Sequence, residues 1–325
     1  MPTRGLRADW RHRRRKVLPS VDLDALENPL EQQRLLQGLQ AHGAVVLTLP
    51  KAAHLQAHVT ACYAETAAFF RRSMREKAPH AISEECQHGC AIYEDGTEFF
   101  EVTRSVDPRL WSWPSEPRGL RDALTNAYKC MSAVAVRVLE VLLRALRMDA
   151  DVVLSTLDSA QPKPFDGPTD RGASHSALRI WSYPVGALPT AWHCDNSLLT
   201  LGARGTSRGL RARLLDGQLA YLEDHLGPDQ VVLYVGDSLS YLTGGRLLPL
   251  MHEVVSPAAD TARRLSMPFF LRPRRAAILR PALASPELTS AKTLPPLGVV
   301  DLEEDAGGVR TQWEWKRTQY FSELR

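Results

Sequence analysis

Three residues invite a metal ion. His193 and Asp195 flank Cys194 in a His-x-Asp triplet, and on an extended segment residues i and i+2 point to the same face, so an imidazole and a carboxylate converge. A second imidazole, His252, follows the turn-like pair Gly244-Gly245 and heads another apolar run. Two imidazoles and one carboxylate on one side of a divalent ion leave the other positions open. That donor set suits iron(II) better than a closed, thiolate-rich structural zinc. The open positions let a bidentate keto acid and dioxygen reach one metal together. By alternation Cys194 faces the other way and is not expected as a ligand.

Arg264-Leu265-Ser266 is a second i, i+2 pair. A guanidinium fork matches a carboxylate and a neighbouring hydroxyl adds one more bond, so Arg264 and Ser266 are fit to hold the far carboxylate of a keto acid. Arg263 should point away. Taken singly, each feature has a plainer alternative: His193 and Asp195 as a hydrogen-bonded structural pair, Arg264 as a surface strand residue. Arg204, Arg208, Arg211 and Arg213 are dense enough to suggest an anionic substrate, with a solvated loop as the simpler explanation. Cys86 and Cys90 around His88 lack the second Cys/His pair of a zinc finger.

The elements that must position these groups follow from periodicity. Val17 to Leu23 reads as a short strand running into a capped helix over about Glu31–His42, stopped by Gly43, with an apolar strand over Ala44–Leu49. A second helix is expected over about Lys51–Arg75. Leu120, Leu124, Tyr128, Met131, Val134, Val138, Leu142 and Leu146 form one helical stripe within 119–148, a scaffold helix for a sheet. Asp158 to Ala173 is a Pro/Gly-containing loop of the kind that rims sites. From Ser176 short apolar runs dominate, at Leu178–Tyr183, Leu198–Leu201, Gly209–Leu214, Val231–Val235, Ser240–Thr243, His252–Val255 and Leu265–Leu271. Such spacing suggests a β-sandwich or barrel. A last helix is expected around Trp313, Trp315, Tyr320 and Phe321.

A chain of 325 residues with 44% hydrophobic content can bury a large core. Its net charge of +3 is local, because Arg4, Arg7, Arg11, Arg13, Arg14, Arg15 and Lys16 crowd the start. Nucleic acid is therefore not an expected partner. Five cysteines without framework spacing suit a reducing compartment. No apolar run is long enough to span a membrane. The cytoplasm is the expected location, and the basic start leaves mitochondrial or nuclear targeting open.

Taken together, these residues resemble the isopenicillin N synthase-like branch of the iron(II)/2-oxoglutarate-dependent dioxygenases. Trp192-His193-Cys194-Asp195-Asn196-Ser197-Leu198-Leu199-Thr200-Leu201 is similar to that family's His-x-Asp strand. Gly209-Leu210, Val231 through Asp237, Leu242-Thr243-Gly244-Gly245, His252-Glu253-Val254 and Arg264 through Pro273 follow in the family's order. Arg179-Ile180-Trp181-Ser182-Tyr183-Pro184 resembles the strand whose tyrosine contacts the keto acid, which makes Tyr183 a cofactor-binding candidate beside Arg264 and Ser266. The likeness covers about residues 17–280. Two departures stand out: Glu253 where many members have Arg, and Trp181 where many have Asn.

The resemblance implies a mainly β fold with flanking helices (α+β) and a double-stranded β-helix (jelly-roll) core. It divides the chain into a basic tail expected to be disordered (1–16), an N-terminal helical and strand region (17–118), a scaffold helix (119–150), a catalytic core (175–285) and a C-terminal extension with a docking helix (286–325). It implies Fe(II) on His193, Asp195 and His252, 2-oxoglutarate as co-substrate, O2, and a small organic substrate that is most simply hydroxylated, with release of succinate and CO2. A monomer is expected. Two alternatives stay open: an oxidase or cyclase of the same fold that needs no keto acid, and a non-catalytic small-ligand-binding protein.

Overall fold

Period-two alternation in the strands decides which side of the protein each side chain serves. The computed structural model describes residues 18–83, 87–104, 111–158, 174–255, 262–274, 277–279 and 297–298. Along these the strands are β1 (Ser20–Asp22), β2 (Ala44–Thr48), β3 (Gly89–Ile92), β4 (Glu98–Thr103), β5 (Ala177–Tyr183), β6 (Leu199–Ala203), β7 (Leu210–Arg213), β8 (Leu219–Tyr221), β9 (Gln230–Val235), β10 (Met251–Val254), β11 (Arg264–Ser266), β12 (Pro268–Leu271), β13 (Ile278–Leu279) and β14 (Leu297–Gly298). A large sheet runs β1-β2-β9-β6-β12-β5-β4-β3, with β11 also on β5. A small sheet runs β10-β7-β8, and β13 pairs with β14. Apart from the parallel pair β1 and β2, the ladders are antiparallel.

The large sheet has two different faces. Val45 and Leu47 of β2, Leu199 and Leu201 of β6, Leu178 and Ile180 of β5, Phe269 and Leu271 of β12 and Leu233 of β9 all enter the main core. Their neighbours turn the other way: Ala44, Val46, Val232 and Tyr234 join a second cluster with Ala212 of the small sheet, while Arg179, Trp181, Tyr183, Pro268 and Phe270 line a cavity. Each strand thus serves a helix-covered face and a site face.

The helices cover the first face. In α1 (Pro29–His42) the Asn28 side chain accepts from the Leu30 N–H, and Gly43 closes the helix at φ 75°, a left-handed position that favours glycine. α4 (Leu120–Ala145) is the scaffold helix expected from the apolar stripe, and Leu124, Met131, Val138 and Leu142 on it are fully buried. It packs on α2 (Leu55–Phe70) and on the core faces of β5, β6 and β12. At roughly 25 cal/mol per Å² of apolar surface removed from water, this stripe is a principal stabilising feature.

Four expectations need correction. The helix expected over Lys51–Arg75 is broken, because His54 takes left-handed φ 49° before α2 and a Ser73/Glu76 capping box starts a new helix, α3 (Met74–Lys77). Ser240–Thr243 is not a strand but the end of α5 (Asp237–Leu242), followed by Gly244 and Gly245 at positive φ. The run Leu265–Leu271 is interrupted at Met267, which separates β11 from β12. The His-x-Asp triplet precedes β6 and lies outside a regular strand, with His193 in an isolated bridge. The basic tail, Cys86, the loop over 159–173 and the Trp313-bearing segment lie outside the described residues. Among the described residues, no helix is long and apolar enough to cross a membrane.

Candidate metal centre

His193 and His252 are brought together by their backbones. Each donates its N–H to the other's carbonyl at 2.9 Å, an isolated antiparallel bridge. β10, which carries His252, is fixed on β7 with His252 opposite Ala212, so the small sheet delivers one imidazole to the site face of the large one, against the Tyr234 ring of β9. Asp195 lies two residues beyond the bridge, and its carbonyl accepts from the Asp237 N–H at 2.8 Å.

The three side chains converge. Ligand atoms of His193, Asp195 and His252 all lie within 4.8 Å of one another, and among the described residues this is the one such group of His, Cys, Asp or Glu side chains. His252 Nε2 is 3.6 Å and His193 Nε2 is 3.9 Å from Asp195 Oδ1. Behind each ring a backbone carbonyl accepts from Nδ1, that of Ala191 at 2.8 Å for His193 and that of Leu250 at 3.0 Å for His252. A protonated Nδ1 leaves Nε2 with its lone pair facing the gap, the tautomer a metal needs.

The carboxylate is divided between two tasks. Oδ1 faces the imidazoles, while Oδ2 accepts from Thr200 Oγ1 at 2.7 Å, and the Tyr234 hydroxyl also bonds this side chain. Burial opposes ionisation of Asp195, but His252, His193 and the two hydroxyls outweigh it and hold the carboxyl below the usual range. Burial likewise keeps His252 below its ordinary value, with Asp195 acting in the opposite direction. A carboxylate held toward its ionised form and a buried imidazole kept from protonating are the states a divalent ion requires of Asp195 and His252.

The cavity beside this group measures about 810 Å³ and is lined by all three residues together with Tyr183, Arg264 and Ser266. Arg264 sits opposite Tyr183 and Ser266 opposite Trp181 in the β5/β11 ladder. The Arg264 guanidinium lies 5.5 Å from the Tyr183 ring centre, and the Tyr183 hydroxyl bonds Ser266. Burial pushes that hydroxyl up to about 12, so it stays protonated at neutral pH. Arg264 is 1% exposed; its Nε donates to the Ser207 carbonyl at 3.2 Å and its Nη2 to Glu223 at 2.6 Å. Nη1 is buried with no partner. A buried, unpaired guanidinium nitrogen is costly unless something completes it.

Arg263 turns away, bonding Ser182 and the Gly96 carbonyl. Cys194 lines the cavity, against simple alternation, because the chain there is irregular, yet it is not in the ligand group. Of the dense arginines, Arg208 pairs with Asp224, Arg211 with Glu253, and Arg211 and Arg213 lie over Trp192. None of Arg204, Arg208, Arg211 and Arg213 lines the cavity. Glu253 is therefore a buried partner for the facing residue of β7 and does not line the cavity. Trp181 stacks between Tyr93 and Tyr183 on the cavity wall.

Thr200, Tyr234 and Glu223 carry roles that the sequence reading did not assign. The signal for the first two was present: a hydroxyl in each of two otherwise apolar strands, and these residues face each other in the β6/β9 ladder. Glu223 lies in a short turn with no pattern of its own.

Residues 174–273 match the model of the 2OG-Fe(II) oxygenase superfamily. This segment belongs to that superfamily. The match spans the whole of the metal-site geometry, from β5 to β12. Beyond the superfamily match, the chain is 26% identical over 186 residues to the 2'-deoxymugineic-acid 2'-dioxygenase of Hordeum vulgare, which covers 54% of this chain and 48% of the relative. It is 27% identical over 239 residues to a feruloyl CoA ortho-hydroxylase of Ipomoea batatas, covering 67% and 60%. The chain thus spans about half to three-fifths of the length of these relatives. In fold it is similar to a full-length Neurospora crassa protein crystallised with alpha-KG and 5-formyluracil, with TM-score 0.68, 20% identity and coverage of 87% of this chain and 93% of that one. It is also similar to the rice dioxygenase for auxin oxidation, with TM-score 0.65, 19% identity and coverage of 91% and 96%. These likenesses bear out the jelly-roll fold with flanking helices.

Proposed function

We propose that this protein is a non-haem Fe(II)- and 2-oxoglutarate-dependent dioxygenase that hydroxylates a small organic substrate. The observation that carries the reading is the meeting, in one cavity, of three metal-competent donors and a buried arginine with one unpaired nitrogen. His193 Nε2, Asp195 Oδ1 and His252 Nε2 would hold the iron. Arg264 Nη1, Ser266 and the Tyr183 hydroxyl would hold the distal carboxylate of 2-oxoglutarate, a donor set matched to an anion. Bound iron and keto acid supply the redox chemistry that couples decarboxylation to succinate and CO2 with insertion of one atom of O2 into a C–H bond.

The chain's own part is orientation and exclusion of water. The Ala191 and Leu250 carbonyls fix the imidazoles, and Thr200 and Tyr234 fix the carboxylate. Tyr93, Trp181, Tyr183 and Phe270 form an aromatic wall on which a substrate with a flat apolar part can lie. A volume near 810 Å³ has room for a keto acid and a second small molecule. The three donors and the proposed keto-acid contacts line one cavity, so we take a monomer as sufficient for the site. Cys62, Cys90, Cys130 and Cys194 are free thiols, which supports a reducing compartment such as the cytoplasm.

The test is succinate formation by the iron-loaded protein across a panel of aromatic and heterocyclic substrates, with and without 2-oxoglutarate. Succinate that requires 2-oxoglutarate, iron and O2, and that is lost in Arg264→Ala, is the expected result. Substrate oxidation that proceeds without any keto acid would instead identify an oxidase of the same fold, with Arg264 holding a substrate carboxylate.

A further inference from the structure

Glu223 is a buried carboxylate that none of the proposed steps requires. It is 6% exposed and stands in the turn after β8. One oxygen accepts from Arg264 Nη2 at 2.6 Å, and the Leu210 N–H reaches both oxygens at 3.0 and 2.9 Å. The Gly209 N–H adds a longer contact at 3.4 Å. Glu223 is thus tied to backbone and not only to the arginine.

Arg264 is equally confined. A methyl group on Gly209 would meet its Cδ and Cζ at 2.7 Å, and one on Gly205 would lie 3.1 Å from Nη2. The guanidinium therefore passes against bare backbone, with Nε on the Ser207 carbonyl, Nη2 on Glu223 and only Nη1 unpaired. A two-edged grip on an incoming carboxylate is blocked on the Nη2 side by the one already present.

We propose that Glu223 is a resident counter-carboxylate for Arg264, which stabilises the arginine while the site is empty and limits how tightly the site holds a dianionic keto acid. The proposal rests on the reading of Arg264 as the keto-acid anchor. Two consequences follow from charge alone. Without Glu223 the ligand-free protein buries an uncompensated guanidinium and is less stable. The same guanidinium then attracts a distal carboxylate with nothing opposing it, and packing against Gly209 and the Ser207 carbonyl keeps it in place. Loss of Glu223 should therefore strengthen keto-acid binding, the opposite of what loss of an ordinary binding residue does.

The experiment is anaerobic calorimetric titration of the iron(II)-loaded protein with 2-oxoglutarate and with 2-oxovalerate, which keeps the chelating end but lacks the distal carboxylate. Wild type, Arg264→Ala, Glu223→Gln and Glu223→Met are compared, the methionine keeping the volume with no charge. Melting temperatures are read with and without 2-oxoglutarate. Glu223→Gln and Glu223→Met should bind 2-oxoglutarate on the order of tenfold more tightly, bind 2-oxovalerate as wild type does, melt lower than wild type when ligand-free, and gain more on adding 2-oxoglutarate. If wild type binds 2-oxoglutarate through Arg264 but the Glu223 variants bind it equally or more weakly, the counter-carboxylate is overturned while the oxygenase reading stands. If Arg264→Ala binds 2-oxoglutarate as wild type does, or wild type does not bind it, the anchor reading itself fails.

Discussion

Thr200 donates its hydroxyl hydrogen to Asp195 Oδ2 at 2.7 Å, leaving Oδ1 to face His193 and His252. The hydroxyl fixes which carboxylate oxygen can act as a ligand. Thr200→Val keeps the shape and removes the donor, so metal affinity should fall about 10- to 100-fold. Thr200→Ser should hold it near wild type. Equilibrium dialysis against Mn(II) reads both.

Gly209 is required by Arg264 rather than by a turn. A Cβ there would overlap the guanidinium, so Gly209→Ala should displace Arg264 and weaken 2-oxoglutarate binding by about tenfold or more, since a charge-assisted bond is lost. Metal binding should be unchanged, because Gly209 is not among the residues bonded to the ligand group. Paired titrations with metal and with keto acid separate the two effects.

His88 predicts an acid sensitivity away from the site. It is buried among Phe100, Trp111 and Trp113, and burial, with His80 and Arg121 nearby, lowers it to about 3. Below its unfolded value near 6.5 the unfolded chain takes up a proton that the folded chain refuses. The stability this group contributes is thus complete above pH 6.5 and is lost as pH falls toward 3, at up to about 1.4 kcal/mol per pH unit. His88→Phe should flatten the fall in urea-unfolding free energy between pH 6.5 and 4, and a slope equal to wild type's would contradict the assignment.

Leu139 of α4 is fully buried in the main core. Leu139→Ala should cost about 2–5 kcal/mol, the transfer loss plus the cavity left behind. Chemical denaturation measures it, and a loss below about 1 kcal/mol would show that this helix is not the scaffold described.

Much of this was legible in the sequence, for physical reasons. The stripe from Leu120 to Leu146 has one interpretation, because its apolar spacing matches a helix and no breaker interrupts it. His193, Asp195, His252, Arg264 and Ser266 could be singled out as candidates because i, i+2 spacing and residue chemistry are local properties, and all five line one cavity. Ser240–Thr243 misled because a run of four residues fits strand or helix equally, and Gly236 and the Gly244-Gly245 pair decided it. The strand expected at the triplet failed because His193 is held by a bridge to His252, a pairing of distant segments that no local pattern encodes. Glu223 was invisible for the same reason: its meaning depends on Arg264, 41 positions away.

The central claim is that His193, Asp195 and His252 hold one ferrous ion. Anaerobic titration of metal-stripped protein with Fe(II), in wild type and in His252→Ala, tests it most directly. The account predicts one ion per wild-type chain and binding lost in the variant, whose fold, checked by circular dichroism, persists because the His193 bridge is made by backbone atoms. Equal iron binding by wild type and His252→Ala would contradict it.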